Sequence, residues 1–354
     1  MCRGSVGWEP PALRLQSWMP SGESGHGPAG PYRNAAMQER RLEGPAPPAE
    51  AGDPRPFALA HLSDLHATPV RVQSPLELAN KRALGWLSWW TRRRKEHLPG
   101  VLDALIEDLR TAGADHVGVT GDLTHIGLES EIAEARSWLE RIGPPSRVSV
   151  VPGNHDAYAG GGGDERWSPW APYMVGNDPE ESGDGGFPYV RRFARVALVG
   201  ASSALPTAPL LATGRLGQPQ RERLERLLAR LGEEGLCRVV LMHHPPVPAG
   251  QSRRRQLEDA DELRALLQRV GAELVLHGHT HRTHFATVPG PERPIPVVGV
   301  PSSSAIGHRP GRRARYHIYR IVPTGGSAGF ALSFCARAFD PLRGCFVAAE
   351  ERSL

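Results

Sequence analysis

The chain has 354 residues, 40% hydrophobic and 23% charged, and its net charge of +4 excludes a strongly acidic protein and only weakly favours an anionic partner. Its four cysteines, Cys2, Cys237, Cys335 and Cys345, show no CxxC spacing, which argues against a disulfide framework or a thiolate metal site and favours the cytoplasm. No run of about 18 apolar residues appears, so no membrane-spanning helix is expected.

The first 55 residues hold nine Pro and eight Gly and show no periodicity. Such a stretch buries too little apolar surface to offset its ordering entropy, so 1–55 reads as a disordered tail before a folded domain at 56–350. The tail lacks the apolar centre of a signal peptide, and Met37 is an alternative start. FALAHL (57–62) opens the domain as a buried strand. ANKRALGWLSWWTRRRK (79–95) follows, with Ala83, Trp86, Leu87 and Trp90 at helical spacing between Lys81 and Arg82 before them and Arg92, Arg93, Arg94 and Lys95 after.

Helical spacing recurs at Gly100 to Ala112, Glu129 to Ile142, Gln218 to Leu231 and Asp259 to Val270. Between these stretches lie the short apolar strands HVGVT, RVSVV, RVVLM and ELVLH. Ala157 to Pro188 is Gly-rich and reads as a long loop edging the site. PIPVVGV, RYHIYRI and GFALSFCARAF are late strands with no helix between them, which suggests a second sheet.

Five polar motifs each sit directly behind an apolar strand: HLSDLH (61–66), TGDLT (120–124), PGNHD (152–156), MHHPP (242–246) and HGHTH (277–281). Open α/β sheets place their sites at such carboxyl strand ends. Asp64 and His66 can turn onto one cation, Asp122 offers a carboxylate able to bridge two, and Asn154, His243, His279 and His281 add an amide oxygen and imidazoles. This oxygen and nitrogen set suits two divalent or trivalent ions, Mn, Fe or Zn. Such a pair can share a bridging water, lower its pKa and present a hydroxide to phosphorus.

Taken together, Asp64-x-His66, Gly121-Asp122, Gly153-Asn154-His155-Asp156, His243 and Gly278-His279-x-His281 resemble the motif set of the calcineurin-like metallophosphoesterases across roughly 56–325. The resemblance implies a four-layer αββα sandwich of two mixed sheets flanked by helices, with a dimetal site at its loop edge. It implies that Asp64, His66 and His281 hold one ion and Asn154, His243 and His279 the other, with Asp122 bridging. His155 would contact the phosphate and steady or protonate the leaving oxygen, oriented by Asp64 or a nearby carboxylate, while Asp156 would support the loop. Asn154 would also touch substrate. His243 is taken as the ligand, directly after VVLM, and His244 as a neighbour that contacts substrate. His61, His125, His284, His308 and His317 carry no role, and His277 is expected to be buried near the strand end.

The compact HHPP and GHTH forms look most like the cyclic-nucleotide phosphodiesterase and glycerophosphodiesterase branch, which implies a metal-dependent phosphodiesterase. The Trp-rich basic segment 79–95 supports an alternative, a lipid-linked pyrophosphatase of the UDP-diacylglucosamine type whose cap helix touches an anionic membrane from the cytoplasmic side. The plainer reading is a cap helix packed on the sheet with a solvated basic end. A nuclease shares the fold, but no nucleic-acid-binding module is present and a nucleic-acid partner is not expected. A non-catalytic scaffold would lack ligands, and none is missing here.

Overall fold

β1 (Phe57–Leu62) is buried on both faces, which only a strand sandwiched between two layers allows. Ala58, Ala60 and Leu62 point one way and Phe57 and Leu59 the other. The computed structural model describes residues 56–160, 163–177, 186–307, 310–324 and 329–354. The expected tail at 1–55, His308 and part of the 157–188 stretch lie outside these.

β1 pairs in parallel with β2 (His116–Val119), and β2 with β3 (Val148–Val150). On its other edge β1 meets β10 (Arg315–Thr324) antiparallel, and β11 (Gly329–Asp340) and β12 (Cys345–Ser353) follow, also antiparallel. The first mixed sheet therefore runs β12-β11-β10-β1-β2-β3. The second contains β4 (Tyr189–Phe193), β5 (Val196–Gly200), β6 (Cys237–Met242), β7 (Leu274–His277), β8 (His284–Val288) and β9 (Ile295–Gly299), in the order β4-β5-β6-β7-β9-β8.

Six helices accompany the sheets. Two short ones, α1 (Arg82–Ser88) and α2 (Arg94–Glu96), belong to the cap. α3 (Pro99–Thr111) and α4 (Glu129–Ile142) cover the first sheet, and α5 (Gln218–Glu233) and α6 (Ala260–Val270) the second. The period-two alternation of the strands splits the core into three slabs. Val101, Leu102, Leu105 and Ile106 of α3 pack on Ala60 and Leu62. Leu59, Leu198, Leu241, Leu276, Tyr319 and Phe334 fill the space between the sheets. Leu224 and Leu228 of α5, with Leu263 and Leu267 of α6, close over Ala197, Val240 and Val275. The result is the four-layer αββα sandwich. Each fully buried leucine contributes about 1.5–3 kcal/mol, so the slabs hold far more stabilisation than any exposed ion pair.

The late strands differ from expectation. β9 joins the second sheet, but β10 and β11 return to extend the first. Tyr316 and Ile318 face the helical slab while Tyr319 and Ile321 face the space between sheets, and this two-sided apolarity suits a central position beside β1. The Gly-rich stretch is not all loop either. A 3-10 segment spans Gly163–Tyr173, and Trp167, Trp170 and Tyr173 are buried. Trp170 Nε1 donates to the Ile132 carbonyl at 2.9 Å, which ties the segment to α4.

In the 79–95 segment, α1 passes into a π turn (Trp89–Arg93) before α2. Trp86 and Trp89 pack on Val70, Ile126 and Leu128, whereas Leu84, Leu87 and Trp90 stay 51%, 52% and 47% exposed. Gly85 lies so close to the body that a Cβ there would meet the Tyr158 hydroxyl at 2.5 Å. Among the described residues no helix is long and apolar enough to cross a membrane.

Candidate metal centre

The loops that leave the strands are strained in a way that gathers the motif residues. Eight described non-glycine residues have positive φ, and five of them are Asp64 (52°), His66 (41°), Asp122 (54°), His279 (64°) and His281 (50°). Each left-handed residue costs about 1 kcal/mol or more, and such strain persists only where the surroundings over-determine it. Here they do. Asp64 N donates to the Gly121 carbonyl at 2.9 Å and His66 N to the Asp122 carbonyl at 3.2 Å, locking the first motif against the second. Two glycines permit the close approach. A Cβ at Gly153 would fall 2.2 Å from Asp122 Oδ1, and one at Gly278 only 1.8 Å from Ser63 Oγ.

One ligand-capable atom from each of Asp64, His66, Asp122 and His281 lies within 4.8 Å of the others, and the same holds for His243, His244 and His279. His281 Nε2 is 3.1 Å from Asp64 Oδ1, and His66 Nε2 is 3.8 Å from Asp122 Oδ2. His243 Nε2 sits 3.2 Å from Asp122 Oδ2 and 3.2 Å from Asn154 Oδ1, so Asp122 stands between the two groups.

The far ring nitrogens are already used. His66 Nδ1 donates to the Thr124 carbonyl at 2.7 Å and His243 Nδ1 to the Thr120 carbonyl at 2.6 Å, while His279 Nε2 donates to the Arg255 carbonyl at 2.8 Å. Because a carbonyl can only accept, each ring, when neutral, presents its bare nitrogen on the other side, as a ligating imidazole does. Asp64 Oδ1, beside the His281 ring, and His66 Nε2, 3.8 Å from Asp122 Oδ2, are buried and make no well-aligned hydrogen bond. Under-satisfied buried acceptors are costly, and a cation between them would satisfy both. The donor set therefore fits metal ions held by oxygen and nitrogen.

Electrostatics agree with that fit. Burial pushes the Asp64 carboxyl up, but His281 overcomes this and holds it below the usual carboxylate range. Burial pushes His243 down, and the Asp122 carboxylate beside it lifts the ring to about 9, so without an ion its Nε2 holds a proton between Asp122 and Asn154, the position at which a cation would replace that proton. His66 and His279 are held well below their ordinary value, first by burial and then by neighbouring imidazoles.

His244 differs from His243. Its Nδ1 meets Ser203 Oγ at 2.8 Å and its Nε2 the Ala212 carbonyl at 3.2 Å, so both nitrogens are engaged although the ring lies 4.3 Å from that of His279. Among the described residues no carboxylate bonds to the His155 ring, where one was expected to orient it. Its Nδ1 donates to the His125 carbonyl at 2.5 Å, and its backbone N–H donates to Asp122 Oδ1 at 2.7 Å. Asp156 accepts from Thr124 N, Thr124 Oγ1 and Gly153 N at 2.9–3.0 Å and is a loop brace; burial, then Asp122, raises its carboxyl to about 7. His277 is buried at the end of β7.

Several residues were not legible from the motifs. Arg93, on the π turn, reaches His155. His97 packs its ring 4.8 Å from that of His66 and contacts Ser304 Oγ at 3.0 Å. Ser302 Oγ donates to the Asp64 carbonyl at 2.6 Å. Glu131, fully buried, accepts from the backbone of His125, Ile126 and Leu128 and from Thr68 Oγ1, fixing the loop whose carbonyls hold His66 and His155. No motif announces these; only the basic triplets 92–94 and 253–255 give a hint. A cleft of about 730 Å³ opens above Asp122, Asn154, His155, His279 and His281, a volume suited to a small-molecule ligand.

The profile of the family described as calcineurin-like phosphoesterase matches residues 57–283. A probable cyclic nucleotide phosphodiesterase of Synechococcus sp. is 26% identical over 240 residues, covering 66% of this chain and 76% of that protein. The crystal structure of a dimetal phosphatase from Danio rerio superposes with a TM-score of 0.53 at 12% identity, covering 84% of this chain and 98% of that one, a likeness of fold.

Proposed function

Because this chain belongs to the calcineurin-like phosphoesterase family and is thereby a metal-dependent phosphoric ester hydrolase, we propose that it is a phosphodiesterase working with two metal ions. The observation that carries the reading is the pair of donor groups on either side of Asp122, with the spare ring nitrogens pinned to backbone carbonyls. Asp64, His66 and His281 would hold one ion, and Asn154, His243 and His279 the other, with Asp122 reaching both. When bound, such ions act as Lewis acids towards a phosphoryl oxygen and lower the pKa of water. Mn, Fe and Zn all accept this donor set.

The chain's own residues supply the rest. Asn154 and His155 line the cleft floor where the phosphoryl group would lie, and Arg93 adds a guanidinium beside them. His155 Nε2 accepts from Arg93 and so carries no proton; to protonate a leaving oxygen it would first have to be released by Arg93 and take up a proton, whereas as it stands the pair positions Arg93 N–H groups beside the phosphoryl oxygens. His244, fully buried and with both ring nitrogens held by Ser203 and Ala212, backs the ring of His279 and does not line the cleft, so its expected contact with substrate gives way to support of His279. The relative from Synechococcus supports a diester as substrate.

The test is hydrolysis of bis-p-nitrophenyl phosphate and p-nitrophenyl phosphate by protein loaded with Mn, Fe or Zn. Faster diester turnover, lost in Asp122→Asn, is expected. Turnover of neither ester with both ions bound would overturn the diester reading in favour of a lipid-linked pyrophosphate substrate or a binding scaffold.

The exposed Leu84, Leu87 and Trp90 favour a second reading, contact with an anionic membrane while a lipid-linked phosphate is cleaved. Arg94 stacks on Trp90 at 3.8 Å, giving the apolar ridge a basic flank. Co-sedimentation with anionic vesicles at low salt checks it, and absence of binding removes it.

A further inference from the structure

The cleft wall carries Arg92, Arg93, Arg255, Arg282 and Arg312. They arrive from four separate segments: the π turn (Trp89–Arg93), the 3-10 turn at Arg253–Arg255, the loop directly after His281, and the turn Pro310–Arg312. A solvated basic helix face would draw them from one segment. Here the fold brings them together around a common space.

None of the five makes an ion pair with a carboxylate among the described residues. Elsewhere Arg110, Arg141, Arg238, Arg269 and Arg337 each have a carboxylate within 2.8 Å. Three of them are instead held through neutral groups. Arg93 reaches the His155 ring, Arg282 donates to the Ala249 carbonyl, and Arg312 donates to the Thr280 carbonyl at 3.2 Å. These contacts set direction without neutralising charge. The carboxylates lining the cleft are Glu96 on the wall and Asp122 on the floor. Asp122 is already taken by the His155 N–H and His243.

A phosphodiester carries one negative charge, and the metal centre and Arg93 suffice to meet it. Against the single carboxylate of Glu96 the wall keeps an excess of guanidiniums, Arg282 half-buried and Arg255 and Arg312 exposed, which further anionic charge on a ligand would meet. Forked N–H donors also match phosphate oxygens better than any other common anion except carboxylate. Resting on the phosphodiesterase reading, we propose that the substrate carries a second phosphoryl group, which Arg255, Arg282 and Arg312 hold while the first lies over Asp122 and His155. The second group is either joined directly to the first, as in a diphosphate, or displaced from it on the same molecule.

Calorimetric titration of the Mn-loaded full chain with AMP, α,β-methylene-ADP and adenosine 3′,5′-bisphosphate tests this. The expected result is that one of the two-phosphate probes binds at least ten times more tightly than AMP, the methylene-ADP for an adjacent group and the bisphosphate for a displaced one. In Arg255→Gln/Arg282→Gln that advantage should fall to threefold or less, with metal content and far-UV circular dichroism unchanged. Arg312→Gln, on the exposed turn Pro310–Arg312, provides a second variant in which a smaller fall is expected should the double variant not fold. Equal affinity for all three probes overturns the proposal, and so does an advantage that survives loss of the arginines, since chelation of the metal would then explain it. These affinities are read without turnover, so failure of ester hydrolysis, which would sink the phosphodiesterase reading, is seen separately.

Discussion

A guanidinium nitrogen of Arg93 lies 2.8 Å from Nε2 of His155 and 3.1 Å from its Nδ1, over a ring that already gives its Nδ1 proton to the His125 carbonyl. The two side chains come from separate segments, one from the cap and one from the loop after β3, so their contact joins the cap to the floor. The cap is thus held in place partly by a group that an incoming phosphate would claim. Arg93→Met, which keeps the stem and removes the charge, should lower kcat for a diester by about 100-fold, the usual effect of deleting one donor to developing oxyanion charge. Metal content by elemental analysis should stay near that of the parent. Loss of the metals in this variant would show that Arg93 acts through the ligand shell instead.

Asp122 and His155 should separate cleanly. Asp122→Asn removes the charge that both donor groups face, and both metal content and turnover should collapse. His155→Asn should cut turnover with metal content near normal. In the same series His243→Ala should be more damaging than His244→Ala, because the nitrogens of His244 are spent on Ser203 and Ala212. Inversion of that order would exchange their roles.

Glu131 holds three backbone N–H groups and one hydroxyl with a single buried carboxylate. Burial pushes its pKa up, and the donated hydrogen bonds pull against that. Glu131→Ala leaves those donors buried and unpaired, which should lower the unfolding free energy by about 3 kcal/mol. The same change frees the loop that supplies the Thr124 and His125 carbonyls, so metal should dissociate faster from the variant in a chelator chase. A destabilised variant with unaltered metal release would mean the loop is held by something else.

Acid should weaken the fold well away from the cleft. Burial, then the charges of Arg315 and Arg352, pushes His317 down to about 3, and its ring also faces His61 and Tyr319. Burial, then Arg191 and Arg147, holds His116 well below its ordinary value. Both folded-state values lie below that of the unfolded chain, about 6.5, so stability is complete above that pH. As pH falls from there the unfolded chain takes protons that the folded chain refuses, and stability drops by up to about 1.4 kcal/mol per unit for each histidine. Urea unfolding at pH 7.5, 6 and 5 should show this slope, and His116→Gln/His317→Gln should flatten it. An identical slope in the double variant would assign the acid loss to other groups.

Much of this arrangement is legible in the sequence because the informative features are local. α4 spans Glu129–Ile142 as its apolar spacing and the following Gly143 suggest, and each polar motif begins where an apolar strand stops. The strand ends then bring the motif residues together. What escapes the sequence is non-local. β10 is apolar on both faces, which suits a central place in either sheet, and only its pairing with β1 decides. The π turn that aims Arg93 inward adds one residue to a helical register that spacing alone cannot detect. Glu131 looks like any first-turn acid of a helix, and the burial that gives it its task comes from Thr68 and the His125 loop.

The position of β1 bears on how the protein is made. Asp64 and His66 leave a strand whose hydrogen bonds are completed on one edge by β2, some 50 residues later, and on the other by β10, beyond residue 315. A chain still emerging from the ribosome at His281 has all seven donor side chains outside but only half of the ladder that sets the first two. The strand that carries the candidate ligands Asp64 and His66 therefore has its second edge completed only once β10 has been made. Pulse-labelled nascent chains arrested before and after β10 would show when the site first retains an ion.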